Sequence, residues 1–135
     1  MKGRCEQVEQ ITVFLENRPG ILADLCAHLS DLRVDIRAMA VLENTESGSV
    51  RLVADDPESA KSALAEAGVA FTTDRCLALE MPNAPGGFAA IARTLAVAGI
   101  NIDYIYATVQ RGTPSALGIF HVSDPERALT LDWQP

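Results

Sequence analysis

The stretch Asn17-Arg18-Pro19-Gly20 returns 66 positions later as Asn83-Ala84-Pro85-Gly86, and this repeat sets the fold. The same offset places Leu22 on Phe88, Leu25 on Ile91, Leu29 on Leu95, Val34 on Ile100 and Ile36 on Ile102. Apolar falls on apolar through a helix and into the next element, a register that marks two copies of one unit. Further along, Asp56-Pro57-Glu58 matches Asp124-Pro125-Glu126 at an offset of 68. The two extra residues of the second copy fit a longer turn at Arg111-Gly112-Thr113-Pro114-Ser115.

Within the first copy, residues 10–16 are rich in β-branched and aromatic side chains and stop at the Pro-Gly cluster, which predicts a strand followed by a turn. Ile21, Leu22, Leu25, Leu29 and Leu32 recur at three or four, the spacing of one helix face. Residues 34–43 and 49–54 read as a hairpin around the polar turn Asn44-Thr45-Glu46-Ser47-Gly48. The Asp-Pro-Glu at 56 opens a helix over 57–67: Asp caps free amides, Pro is tolerated at the first helical position, and Gly68 suits the left-handed stop. A strand at 69–73 completes βαββαβ, the ferredoxin-like arrangement. The second copy repeats the order with strand 76–81, helix 87–98, strands 101–110 and 116–122 and helix 125–131. Only four residues then remain, so its fourth strand is either very short or completed by another chain, which points to a homodimer. The expected fold is α+β: two ferredoxin-like units, 8–74 and 75–135, with antiparallel sheets and helices on one face. Only Thr73-Asp74-Arg75 separates the copies, so they are expected to pack as one body.

The chain has 135 residues, 48% hydrophobic, enough for one ordinary domain or two very small ones. Its net charge of −7 is spread along the chain, which opposes nucleic acid and anionic membranes as partners. No segment approaches the roughly 18 to 20 apolar residues of a membrane span, and no apolar run follows the basic start, so a cytoplasmic protein is expected. Cys5, Cys26 and Cys76 are odd in number and far apart, which suggests neither a disulfide framework nor a metal site. Cys26 and Cys76 read as small core hydrophobes.

An Asn ahead of a Pro-Gly that opens a helix suits a small zwitterion. The first helical amides lack internal partners and favour a carboxylate, Gly lets the backbone approach, and the Asn amide both donates and accepts. The stretch Glu16-Asn17-Arg18-Pro19-Gly20-Ile21-Leu22 with Val34-Asp35-Ile36 resembles the signature of ACT domains. Met81-Pro82-Asn83-Ala84-Pro85-Gly86-Gly87-Phe88 with Ala98-Gly99-Ile100-Asn101-Ile102 resembles it more closely. The resemblance runs from about Val8 to Leu131 and implies a βαββαβ fold and a non-catalytic regulatory or sensor module that binds a small amino acid at the strand-1/helix-1 loops near an interface between units. It implies ligand-binding roles for Asn17, Arg18, Pro19, Gly20, Ile21, Leu22 and Asp35 in copy one. In copy two it implies them for Asn83, Ala84, Pro85, Gly86, Gly87, Phe88 and Asn101. Asp35 stands where copy two has Asn101, so the second copy is the better expected site. A regulated enzyme partner and no cofactor follow from the same resemblance.

Other chemistry is sparse. His28 sits at the edge of the helix stripe, His121 has no partner at a recognisable spacing, and Tyr104 and Tyr106 share a strand face with Ile100 and Ile102 by simple alternation. The nucleotide, hydrolase and zinc-protease motifs are missing. A small enzyme on a ferredoxin-like fold is the alternative, with Arg18 as its only notable group, which copy two replaces by Ala84. An RNA-binding βαββαβ module needs exposed aromatics on its third strand, and Ser49-Val50-Arg51-Leu52-Val53 has none.

Overall fold

The computed structural model describes residues 5–16, 18–43 and 48–133, so Asn17 and the turn residues 44–47 lie outside it. Among the described residues the order is β1 (Cys5–Leu15), α1 (Ile21–Asp31), β2 (Ile36–Glu43), β3 (Gly48–Ala54), α2 (Pro57–Ala67) and β4 (Ala70–Pro82). There follow α3 (Gly87–Val97), β5 (Ile102–Thr108), β6 (Ser115–Val122) and α4 (Pro125–Ala128). The chain is α+β, and it divides into two compact units. The first is Glu9–Asp74; the second runs from Arg75 and takes in the chain start through Val8.

In the first unit the strands lie in the order β2-β3-β1-β4, with antiparallel ladders on both sides of β3. Ile11, Val13 and Leu15 of β1 and Val50, Leu52 and Ala54 of β3 point to one face. There they meet Leu25 and Leu29 of α1 and Ala60, Ala63 and Leu64 of α2. Each large aliphatic side chain so covered contributes about 1.5–3 kcal/mol. The α2 start follows the sequence reading: Asp56 accepts from the amides of Glu58 at 3.2 Å and Ser59 at 3.4 Å, and Gly68 closes the helix at φ +72°. A bond from the Ser59 hydroxyl, with those from the two amides, holds the Asp56 carboxyl below its ordinary pKa.

In the second unit the order is β1-β4-β6-β5, again the ferredoxin-like pattern. Leu77, Leu79 and Met81, with Ala116, Phe120 and Val122, face Ile91 and Leu95 of α3 and Ala128 of α4. The expectation of a truncated or intermolecular fourth strand is corrected here. Residues 5–8, the first turn of alternation in β1, belong to this unit, and Cys5 packs on its core. Burial and the nearby Glu6 charge push the Cys5 thiol up to about 11.

Other details also differ from the sequence reading. Thr73-Asp74-Arg75 does not interrupt the chain but lies inside the continuous β4. The last helix is four residues, not seven, and ends where Trp133 Nε1 donates to the Ala128 carbonyl at 2.9 Å. A register shift falls between Ile36 and Ala38 and again between Ile102 and Tyr104, the same place in both copies. Such a bulge reverses which face later residues point to. Tyr104 and Tyr106 therefore sit opposite His121 and Ile119, on the face away from Ile102, which shares the core side with Val122. No helix among the described residues is long and apolar enough to cross a membrane.

Candidate functional site

The first-unit loop leaves β1 at Leu15 and turns through Gly20, whose φ of +87° starts α1 without a side-chain cap. The amides of Arg18 and Ile21 find backbone partners at Glu16 and Arg18, at 3.1 and 3.4 Å. By contrast α2 and α4 are capped by Asp56 and Asp124. A first turn without a capping oxygen keeps donors and partial positive charge aimed outward. Beside it lies a cavity of about 200 Å³, lined by Leu15, Glu16, Arg18, Ile21 and Leu22 from the loop side and Val41, Leu42, Gly48, Ser49 and Val50 from the β2–β3 hairpin. At its mouth Arg18 Nε stands 3.4 Å from Glu16 Oε2, with both side chains more than half exposed. One cation and one anion thus face solvent beside an apolar interior.

The second-unit loop is built differently. Asn83 Nδ2 donates to the carbonyls of Gln110 at 2.7 Å and Thr113 at 3.0 Å, and its backbone amide donates to Pro114 at 3.1 Å. Both amide hydrogens are committed to the longer hairpin turn. Gly86 starts α3 at φ +94°, and Gly87 is held so close that a Cβ would lie 2.4 Å from the Pro82 carbonyl oxygen. In the first unit the corresponding residue is Ile21, whose side chain lines the cavity. Phe88 is exposed, and Ala84 stands where copy one has Arg18.

Asn101 does not join Asn83. Pro82 pairs with Ser115 and Ile102 with Val122, so the two asparagines flank opposite ends of β6, seven residues or about 23 Å apart. Asn101 receives at its carbonyl the Ser123 amide (2.9 Å), donates its own amide to Ser123 Oγ (2.9 Å), and donates Nδ2 to Asp103 Oδ1 (3.0 Å). Asp35 holds the same place in copy one, where its carbonyl accepts from Asp55 at 2.9 Å. It too lies at the far end of its strand from Arg18, since Ile36 pairs with Ala54 while Leu15 pairs with Gly48, six residues or about 20 Å along β3. A hydrogen bond with Asp35, with some desolvation and the Asp35 charge, raises the Asp55 pKa. Arg37 opposes that rise.

Sequence reasoning missed two features. The hairpin wall of Val41, Leu42, Gly48, Ser49 and Val50 closes the cavity only through tertiary folding, and no local motif announces it. His121 has a partner after all: its Nδ1 lies 2.8 Å from Asp103 Oδ2, and its ring stacks on Tyr104 at 4.8 Å between centroids. The bulge at Asp103 hides that pairing from an alternating pattern. Hydrogen bonds from His121 and then Asn101 hold the Asp103 carboxyl below its ordinary pKa. A carboxylate lowered on folding stabilises above its unfolded value, near 3.9, and loses that contribution as pH falls through the lower folded value. Asp103→Asn should therefore lower the melting temperature at pH 6 and narrow the difference between pH 6 and pH 3. An unchanged pH profile in scanning calorimetry would remove this role. His28 bonds through Nε2 to the Ala63 carbonyl at 2.8 Å, tying α1 to α2. Cys76 is buried and Cys26 half-buried. Among the described residues no group of three or more His, Cys, Asp or Glu could hold a metal ion.

Comparison with solved structures finds the same architecture elsewhere. Protein BT0572 from Bacteroides thetaiotaomicron is 25% identical with a TM-score of 0.85, over 93% of this chain and 86% of that one. The ligand-free regulatory subunit of aspartate kinase from Thermus thermophilus is 18% identical with a TM-score of 0.66, over 90% and 88%. Aspartokinase III of E. coli, solved in complex with lysine and aspartate, is 12% identical with a TM-score of 0.54, over 93% of this chain and 30% of that one. No curated protein matches the chain. A family model described as the ACT domain pair covers residues 6–131, through both units, and the chain belongs to that family.

Proposed function

We propose that the protein is an amino-acid-binding regulatory module and that its first unit holds the ligand. The observation that carries this reading is the cavity beside α1, where a helix start without a side-chain cap, one cation and one anion surround an apolar interior. A ligand carboxylate meets the first amides of α1 and Arg18, its ammonium meets Glu16, and Pro19 and Gly20 shape the approach. Asn17 flanks the same loop in sequence. At about 200 Å³ the cavity is below the roughly 300–1,000 Å³ of drug-sized pockets, which suits a molecule as small as an amino acid. In the second unit, Asn83 and Gly87 hold the loop to its own hairpin and strand, so its loop from Asn83 to Phe88 and the distant Asn101 are the weaker candidates.

A thermal-shift screen of the twenty amino acids tests this. A ligand that binds only the folded state adds RT ln(1 + [L]/Kd), about 2.7 kcal/mol at 100 times Kd. Arg18→Ala should weaken the ligand about 5-fold to 150-fold, the range for a lost polar contact. Asn83→Ala should lower stability while leaving affinity per folded molecule unchanged. No shift with any amino acid, or full affinity in Arg18→Ala, overturns the reading.

The regulatory role, exerted through an enzyme partner in the cytoplasm, draws on the fold shared with the aspartate kinase regulatory subunit. A homodimer does not follow from a vacant strand edge, since residues 5–8 of β1 belong to the second unit beside β4. It rests on β2 and β5, the outermost strands of the two units. A monomeric mass by light scattering at high micromolar concentration would exclude it.

A further inference from the structure

We infer that the ligand of the first unit carries an aliphatic side chain of about leucine size, an inference that rests on the site proposed above. The two charged groups of the cavity, Glu16 and Arg18, stand at its mouth with side chains 83% and 53% exposed, within reach of the ammonium and carboxylate common to every amino acid. Beyond them most of the described lining is aliphatic, with Gly48 and Ser49 the exceptions: Leu15 and Val50 are buried core residues, Ile21 and Leu22 are half-buried, and Val41 and Leu42 are exposed. A lysine or aspartate side chain placed there loses water and gains no partner charge from this lining. An aliphatic one removes apolar surface on both sides from water.

The repeat supplies a second, independent observation. The positions that correspond to Ile21, Val41 and Val50 are Gly87, Ala107 and Gly118. A Cβ at Gly118 would collide with Phe120 and Met81, so copy two has no room for a side chain where copy one has Val50. The aliphatic wall is thus particular to the first unit and is not demanded by the fold. Val41, 57% exposed, does little for the core, yet it stands on the cavity's rim as an apolar group facing water.

Isothermal titration of the full chain with leucine, isoleucine, methionine, valine, alanine, serine, aspartate and lysine decides the matter. Each buried methylene is worth roughly 4-fold in affinity, so leucine, isoleucine or methionine should bind more than about tenfold tighter than alanine. Aspartate and lysine should bind more weakly than alanine. Val41→Asp should cost leucine about tenfold or more with its circular dichroism unchanged, and Val41→Ser serves if the charged variant misfolds. If lysine, aspartate or serine binds tightest and Arg18→Ala abolishes it, the side-chain assignment is overturned while the site stands. If no amino acid binds, or if leucine binds equally well to the Arg18 and Val41 variants, site and assignment fall together.

Discussion

Gly87→Val should be among the most damaging single substitutions in the chain, lowering stability by more than about 3 kcal/mol through backbone collision. A Cβ at this position would sit 2.4 Å from the Pro82 carbonyl oxygen, and backbone there has nowhere to retreat. Pro82 is paired with Ser115, and the next residue, Asn83, is tied to the hairpin turn by its side chain and its amide. The start of α3 must therefore lift, which exposes Ile91 and Leu95, now 6% and 0% accessible. Gly86→Ala is the informative contrast: its Cβ points into open space, and only the left-handed φ of +94° opposes it, for about 1–2 kcal/mol. Urea denaturation of both variants checks the difference. Equal losses would mean that the approach to Pro82 is not what holds the helix. The same experiment separates a fold role for Gly87 from the ligand-binding role that the family resemblance suggested.

The repeat was legible because its punctuation is chemical. Asp-Pro-Glu and Gly68 bound α2 as read, and the strands ahead of each Pro-Gly, β1 and β4, end at Leu15 and Pro82, within one residue of the sequence reading. Strand continuity was not legible, because Thr73-Asp74-Arg75 is polar on the exposed part of β4 and looks like a linker when the partner strand is unknown. Face assignment failed at one bulge: nothing in Ile102-Asp103-Tyr104 departs from alternation, yet the extra residue turns Tyr104 and Tyr106 away from Ile102. The loop half of the cavity could be named from the Pro-Gly turn. The hairpin half could not, since Val41 and Val50 look like ordinary strand residues until β2 and β3 are folded over α1. Nor does a side chain's type reveal its commitments: Asn83 looked like a ligand donor, but its amide hydrogens serve the turn that only copy two lengthens.

Deleting residues 1–8 should selectively destabilise the second unit, although all but the last of the deleted residues precede the first copy of the repeat. Residues 5–8 of β1, the strand beside β4, belong to the second unit, and Cys5 packs on its core. Four strand residues at about 1 kcal/mol per net hydrogen bond amount to roughly 3–4 kcal/mol, a large share of the 5–15 kcal/mol typical of a domain. The chain's single tryptophan, Trp133, reports on the right unit, since it packs on the second core and bonds to the Ala128 carbonyl. Its fluorescence should therefore shift at lower urea in the truncated protein. The truncation also vacates a strand edge beside β4, which invites a second chain to fill it. Light scattering should then show a larger mass than for the intact protein. A truncated chain whose tryptophan transition and mass both match the full-length protein would show that residues 5–8 are dispensable, and that the second unit stands on β4, β5 and β6 alone.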